Sequence, residues 1–252
     1  MVAVEKIQCV PNNANNDVSS GLNAMLCENC ISRHLSLCSV LKNTELSEMS
    51  ELAKNVTKYP KQIICSEGDS PEYLYSVRDG CVRLSKMLSD GRRQIIGFLF
   101  TGELFGFACE NGYSCTAEAI TDVDLCRLTR GTLFEKFEKL PDLGHKMLEI
   151  TQTDMDNACG QMLLLGRKKA KEKLSSFLLD INKKTIKIKN FPEDKIYLPM
   201  SRSDIADYLG LTIETVSRQF TILSKDRVIS LCENTDVTIL DRSRLNLIAS
   251  GE

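Results

Sequence analysis

Between Tyr59 and Leu128 the chain repeats one device: a short apolar or alternating run closed by a turn signal. The runs are QIIC, YLYSV, CVRLSKM, QIIGFLF, LFGFAC, TAEAI and VDLCRL; EGDSP, RDG, SDG, TGE and ENG separate them. Alternation with period two makes one face of each strand apolar, and glycine supplies the backbone that tight turns need. Regular short strands with Gly-rich turns predict a compact antiparallel β-roll or barrel.

Helices flank this region. Residues 44–58 (TELSEMSELAKNVTK) put Leu46, Met49, Leu52, Ala53 and Val56 at helical spacing, with Thr44 as cap. Residues 131–168 are again helical. There Leu148, Thr151, Met155, Ala158, Met162 and Leu165 alternate spacings of three and four. That is a coiled-coil seam, and the many polar residues around it favour pairing of two copies over packing on the helix's own core. A further helix is expected over 167–181, then a break near NFPEDK. The last module reads helix, turn, helix, two short strands (VISLCE and DVTILD) and a closing helix from Arg242 to Ile248. Residues 1–20 are polar and Asn-rich, and read as a loose tail.

The stretch SRSDIADYLGLTIETVSRQFTILSKDRVI carries the most specific pattern. Ser201 caps a first helix holding Ile205, Ala206 and Leu209, Gly210 allows a tight turn, and Thr212 caps a second helix. Val216, Phe220 and Leu223 would hold that second helix on the core, leaving Glu214, Ser217 and Arg218 on its opposite face near its N-terminus. Those side chains suit base edges: Arg can donate twice to guanine, Glu can accept from the cytosine amino group, and Ser can bond to either kind of edge. Arg202 is a candidate phosphate contact. Charge agrees. Residues 1–166 hold 16 basic and 22 acidic side chains, whereas residues 167–252 hold 16 basic and 12 acidic, so the C-terminal part is the one suited to a polyanion.

Eleven cysteines need a role. No signal peptide or membrane-spanning run is visible, so a reducing cytoplasm is expected and structural disulfides are not. Cys27, Cys30 and Cys38 form Cys-x2-Cys-x7-Cys, and thiolates this close can hold one soft metal or one corner of a cluster. His34 lies inside the loop, so a Cys₃His zinc site stays open as an alternative, as does a thiol–disulfide switch. Cys9, Cys65, Cys81, Cys109, Cys115, Cys159 and Cys232 receive no role. No P-loop, His–Glu metalloprotease pattern or nucleophile elbow is present, so an enzyme is not expected.

The order of roll, long helix and helix-turn-helix, with the strings GDSPEYLYSVRDGCVRL, GELFGF, MLLLGRKKAKEKLSSFL and LTIETVSR, resembles the Crp–Fnr family, and specifically its oxygen-sensing FNR branch. The resemblance covers roughly residues 25–245. It implies an α+β fold: an N-terminal antiparallel β-roll (cupin-like, cyclic-nucleotide-binding-like), a dimerisation helix and a C-terminal winged helix-turn-helix. The corresponding segments are 1–40 (tail and cluster-binding loop), 41–140 (β-roll sensor domain), 141–166 (dimerisation helix) and 167–252 (DNA-binding domain).

The same resemblance implies a homodimer on a palindromic TTGAT…ATCAA site of double-stranded DNA, read by Glu214, Ser217 and Arg218. It implies an oxygen-labile 4Fe–4S cluster, with Cys126 joining Cys27, Cys30 and Cys38 as fourth ligand, and control of anaerobic genes. It makes the turn at 89–93 (SDGRR) a candidate contact for RNA polymerase. Two departures stand out. The family's cyclic AMP branch carries an Arg–Ser pair where this chain has Tyr113 and Ser114, so no cyclic nucleotide is expected. FNR relatives often carry an acidic residue in the seam where this chain has Ala158, which removes a like-charge penalty against pairing and leaves Asp154 on the flank.

Overall fold

The computed structural model describes residues 27, 29–109, 112–187, 192–231 and 236–252. Cys9 and Cys232 lie outside them. Two 3-10 turns, Arg33–Leu35 and Leu37–Val40, lead into helix α1 (Asn43–Leu52). The helix is capped by Glu45, whose carboxylate accepts from the Lys42 backbone N–H at 2.7 Å, so its start is Lys42 and not Thr44. It also stops earlier than its spacing predicts. Ala53–Lys58 is strand β1, not helix, and pairs in full antiparallel register from Ala53↔Leu128 to Lys58↔Val123. The β-branched Val56 and Thr57 favour this outcome, and the partner strand supplies hydrogen bonds that a helix end would lose.

The expected roll is present. Its strands are β2 (Ile63–Cys65), β3 (Tyr73–Asp79), β4 (Val82–Met87), β5 (Arg93–Leu99), β6 (Leu104–Phe105), β7 (Ala108–Cys109), β8 (Gly112–Tyr113), β9 (Thr116–Ala119) and β10 (Val123–Thr129). They form two four-stranded sheets, β1-β10-β3-β6 and β2-β9-β4-β5, with a small β7–β8 pair. Period-two alternation divides the first sheet into two apolar faces. Tyr75, Val77, Phe105, Val123 and Leu125 fill the inside of the roll, whereas Ala53, Leu74, Leu104 and Leu128 point outward into a second cluster. That outer cluster is where the cysteine-bearing turns dock, through Leu37 and Leu41. Gly102 permits the approach: at φ +93 it has no Cβ, and a Cβ there would lie 2.4 Å from that of Leu35.

Helix α2 (Arg130–Lys139) closes the roll and α3 (Pro141–Arg167) follows, with Pro141 in its first turn. Leu143 of α3 is fully buried in the outer cluster, and Met147 and Ile150 pack against it. Helix α4 (Ala170–Ile186) then enters the C-terminal domain, followed by β11 (Lys195–Tyr197), α5 (Arg202–Leu209), α6 (Ile213–Lys225), β12 (Ile229–Leu231), β13 (Asp236–Ile239) and α7 (Arg242–Ser250). The wing has three strands, in the order β11-β13-β12, one more than the sequence pattern indicates. β11 is only three residues long, too short for alternation to register.

The roll and the C-terminal domain share one core. Phe98 of β5, Phe177 of α4 and Tyr208 of α5 form a ring cluster with centroids 5.4–6.0 Å apart. Around it, Arg83 reaches Asp204 at 2.6 Å, Arg93 reaches Asp204 at 2.9 Å and Asp207 at 2.7 Å, and Lys184 reaches Glu103 at 2.8 Å. Phe177 is 1% exposed, so Phe177→Ala is expected to cost about 3–5 kcal/mol of stability. Urea unfolding measures it; a loss below ~1 kcal/mol would show that the two domains do not depend on this junction.

Among the described residues, no helix is long and apolar enough to cross a membrane.

Candidate functional site

The first site is the outward face of α6. Thr212 caps this helix by accepting from the Thr215 N–H at 3.2 Å, and Ser201 caps α5 by accepting from the Asp204 N–H at 3.1 Å. Between them Gly210 takes φ +61, the left-handed turn. Val216, Phe220 and Leu223 are buried, which turns Glu214, Ser217 and Arg218 to solvent. The Glu214 backbone N–H and the Thr212 hydroxyl hold the Glu214 carboxyl below its usual range, so it is an ionised acceptor at neutral pH.

Arg202, the candidate phosphate contact, is the first residue of α5. Its guanidinium lies over the Phe220 ring, 3.3 Å from the centroid, and is half-buried. Stacking on an aromatic face satisfies a weakly hydrated guanidinium well, so Arg202 braces α5 against α6.

The second site is a cavity under the 3-10 turns. Cys27, Cys30, Cys38 and Cys126 all line it, with Arg33, Asn55, Ser76, Arg78 and Leu104 among its other walls. Its floor is a single row across the first sheet. Asn55 of β1, Cys126 of β10, Ser76 of β3 and Leu104 of β6 are register partners in succession. Register partners point to the same face, so all four side chains rise into the cavity.

The roof is tied down by Arg33, which donates to the Leu41 carbonyl at 2.8 Å, and by Ser36, which accepts from the Cys38 N–H at 3.3 Å. Burial pushes the Cys38 thiol up to about 12, with Cys27 and Cys30 adding to the rise. The Cys126 thiol is pushed up as well, by burial first and then by Cys38, Cys27 and Cys30. The four sulfurs therefore feel one another across this space. Cys27, Cys38 and Cys126, all raised, stay neutral thiols unless something cationic joins them.

Among the described residues, no three His, Cys, Asp or Glu side chains converge tightly enough to hold a single metal ion. His34 is exposed and not on the cavity wall, so it does not join Cys27, Cys30 and Cys38. Asn55, Ser76 and Arg78 escaped the sequence pattern because only strand register brings them beside Cys126.

The α3 helix presents the third surface. Leu148, Met155 and Met162, seven residues apart, are 57%, 68% and 71% exposed, while Thr151 and Ala158 are also exposed. Leu165 differs: it packs on the C-terminal core of its own chain, with its Cδ2 3.4 Å from where a Cβ on Gly210 would lie. Arg93 differs too, for its ion pairs to α5 turn it inward and leave only the preceding residues of the 89–93 turn exposed. Tyr113 is buried, and its hydroxyl both donates to the Tyr73 carbonyl and accepts from the Tyr73 N–H, at 3.0 Å each. Of the cysteines without a role, Cys65 and Cys81 are buried, Cys115 is half-buried and Cys159 is exposed on α3.

The cyclic nucleotide-binding domain family matches residues 56–139, and the Crp-like helix-turn-helix domain family matches residues 172–248. The transcriptional activatory protein AadR of Rhodopseudomonas palustris is 38% identical over 226 residues, covering 89% of this chain and 94% of that protein. The chain belongs to the Crp–Fnr family of DNA-binding transcription regulators. The nitrogen fixation regulation protein FixK of Bradyrhizobium diazoefficiens is another relative, 36% identical over 91% of this chain and 96% of that protein. Among solved structures, FixK2 from Bradyrhizobium japonicum shares 34% identity at TM-score 0.72, covering 78% of this chain and 96% of that one. These Crp–Fnr relatives are transcription regulators, not enzymes, and the α+β architecture read from the sequence is theirs.

Proposed function

We propose that this Crp–Fnr regulator is an oxygen-responsive activator of anaerobic genes whose DNA-binding dimer is governed by a 4Fe–4S cluster on Cys27, Cys30, Cys38 and Cys126. One observation carries the reading: three cysteines from the N-terminal turns and one from a roll strand line a single cavity. The donor set fits the group. Four cysteine sulfurs are what such a cluster takes, and all four line the cavity. The cluster supplies a redox centre sensitive to dioxygen. Zinc on Cys27, Cys30, His34 and Cys38 is disfavoured by the exposed imidazole.

The residues around the cavity link it to pairing. Cys27, Cys38 and Cys126 pack in the same cluster as Leu37, Leu41 and the α3 residues Leu143, Met147 and Ile150. Holding the four sulfurs together holds the turns against α3, whose free side then offers Leu148, Met155 and Met162 to a second copy. Two paired chains place two α6 helices on the half-sites of a palindromic TTGAT-type sequence, about one DNA turn apart. RNA polymerase contact falls to the exposed part of the 89–93 turn. The Tyr113–Tyr73 bonds, in place of a phosphate-binding arginine, support a roll that takes no cyclic nucleotide.

Anaerobically purified protein is expected to be brown, with about four iron and four sulfide per chain, and to bleach in air while losing DNA affinity. Colourless protein containing zinc contradicts this. The seam adds a second expectation. Ala158 places no charge in it, so no like-charge pair at that position opposes pairing. The cluster-free protein should therefore remain largely dimeric at micromolar concentration. Sedimentation that shows a clean monomer there refutes the expectation.

A further inference from the structure

One polar group on the cavity wall has no protein partner. Ser76 is 6% exposed, and its Oγ is buried without any hydrogen bond among the described residues. Its neighbours are engaged. Arg33 donates to the Leu41 carbonyl, Ser32 Oγ lies 3.2 Å from Cys30 Sγ, Ser36 Oγ lies 3.2 Å from the Arg33 carbonyl oxygen, and Arg78 donates to Asn55 at 2.9 Å. A buried hydroxyl left unpaired keeps its desolvation cost uncompensated, and native proteins rarely leave one so. The backbone fixes where Ser76 points. It is the direct register partner of Cys126, on the same outward face, and both side chains line the cavity. Valine or alanine would fit this place in the row between Cys126 and Leu104 with no such cost.

We infer that Ser76 is a positioning residue for the cluster: its hydroxyl donates a hydrogen bond to Cys126 Sγ or to an adjacent cluster sulfide, and so makes the cluster harder to oxidise. The inference rests on the cluster reading above. Its physical basis is charge. Sulfur carries more negative charge in the more reduced cluster, so a donor aimed at sulfur stabilises that form over the oxidised one.

The test uses the full chain, purified without oxygen, and has two readouts. The first is resonance Raman of the wild-type protein in H2O and D2O. A hydroxyl bonded to sulfur shifts the iron–sulfur stretching bands on deuteration, and the Ser76-dependent part of that shift is lost in Ser76→Ala and kept in Ser76→Thr. The second is the rate of bleaching by ferricyanide, which takes one electron from the cluster and becomes ferrocyanide. Ser76→Ala is expected to bleach about fivefold faster, the kinetic equivalent of one ordinary hydrogen bond, while Ser76→Thr stays near the wild-type rate.

If Ser76→Ala takes up no cluster, Ser76→Thr and the wild-type deuterium shift still decide. Cluster-loaded wild-type protein with no deuterium shift, or a loaded Ser76→Ala that keeps both the shift and the wild-type bleaching rate, overturns the role of Ser76 and leaves the cluster reading standing. Wild-type protein that holds no iron and sulfide overturns that reading, and this inference with it.

Discussion

Arg218→Ala is expected to weaken binding to a TTGAT…ATCAA site by about 1–3 kcal/mol per half-site while barely changing affinity for random DNA. The two half-sites are far apart, so the losses add to about 2–6 kcal/mol for the dimer, roughly 30-fold to 10⁴-fold. The reason is geometric. Arg218 is exposed on α6, one turn beyond Glu214, and Val216, Phe220 and Leu223 fix the rotation of the helix from below. A bidentate bond to a guanine edge discriminates bases; a phosphate contact does not. Fluorescence anisotropy on palindromic and scrambled duplexes at one salt concentration separates the two. Equal losses on both duplexes would place Arg218 on the backbone.

The second large effect belongs to Cys126→Ser. Serine keeps the size of the side chain and its place in the register row with Asn55 and Ser76, so β10 should remain intact. Its oxygen is a poor ligand for a cluster that takes four thiolates. The variant is expected to lose most of its iron and sulfide and, at nanomolar protein, to bind its DNA site at least about a hundredfold more weakly under anaerobic conditions. That is the size of the advantage two linked half-sites have over one. It agrees with a cluster-free dimer at micromolar concentration, because a seam that holds pairs there lets them part on dilution. A Cys126→Ser protein that keeps its iron, its sulfide and its anaerobic control of promoters would end the sensing account.

The two sites were legible in the sequence to different degrees. The DNA-reading helix was legible almost entirely, since its cap, turn and buried face fall within 25 consecutive residues, Ser201–Lys225. The exception is Arg202, whose place over Phe220 depends on how the two helices cross. The cysteine site was legible as a list of residues but not as a shape. Nothing local tells that Cys126 shares a floor with Asn55 and Ser76, or that Leu143 of α3 is packed in the same cluster.

What the sequence determined by itself is whatever depends on spacing along the chain: the strand–turn rhythm of the roll, the capped helix pair, and the outward row Leu148, Met155 and Met162. What only the tertiary structure decided depends on partners distant in sequence. Ala53–Lys58 became a strand because β10 offered it a full ladder of hydrogen bonds. Leu165 left the seam because its own C-terminal domain covered it. Arg93 turned inward to Asp204 and Asp207, over 100 residues away. Periodicity records which face of an element is apolar; it carries no record of which distant surface will cover that face, because that is settled by packing and desolvation once the elements meet.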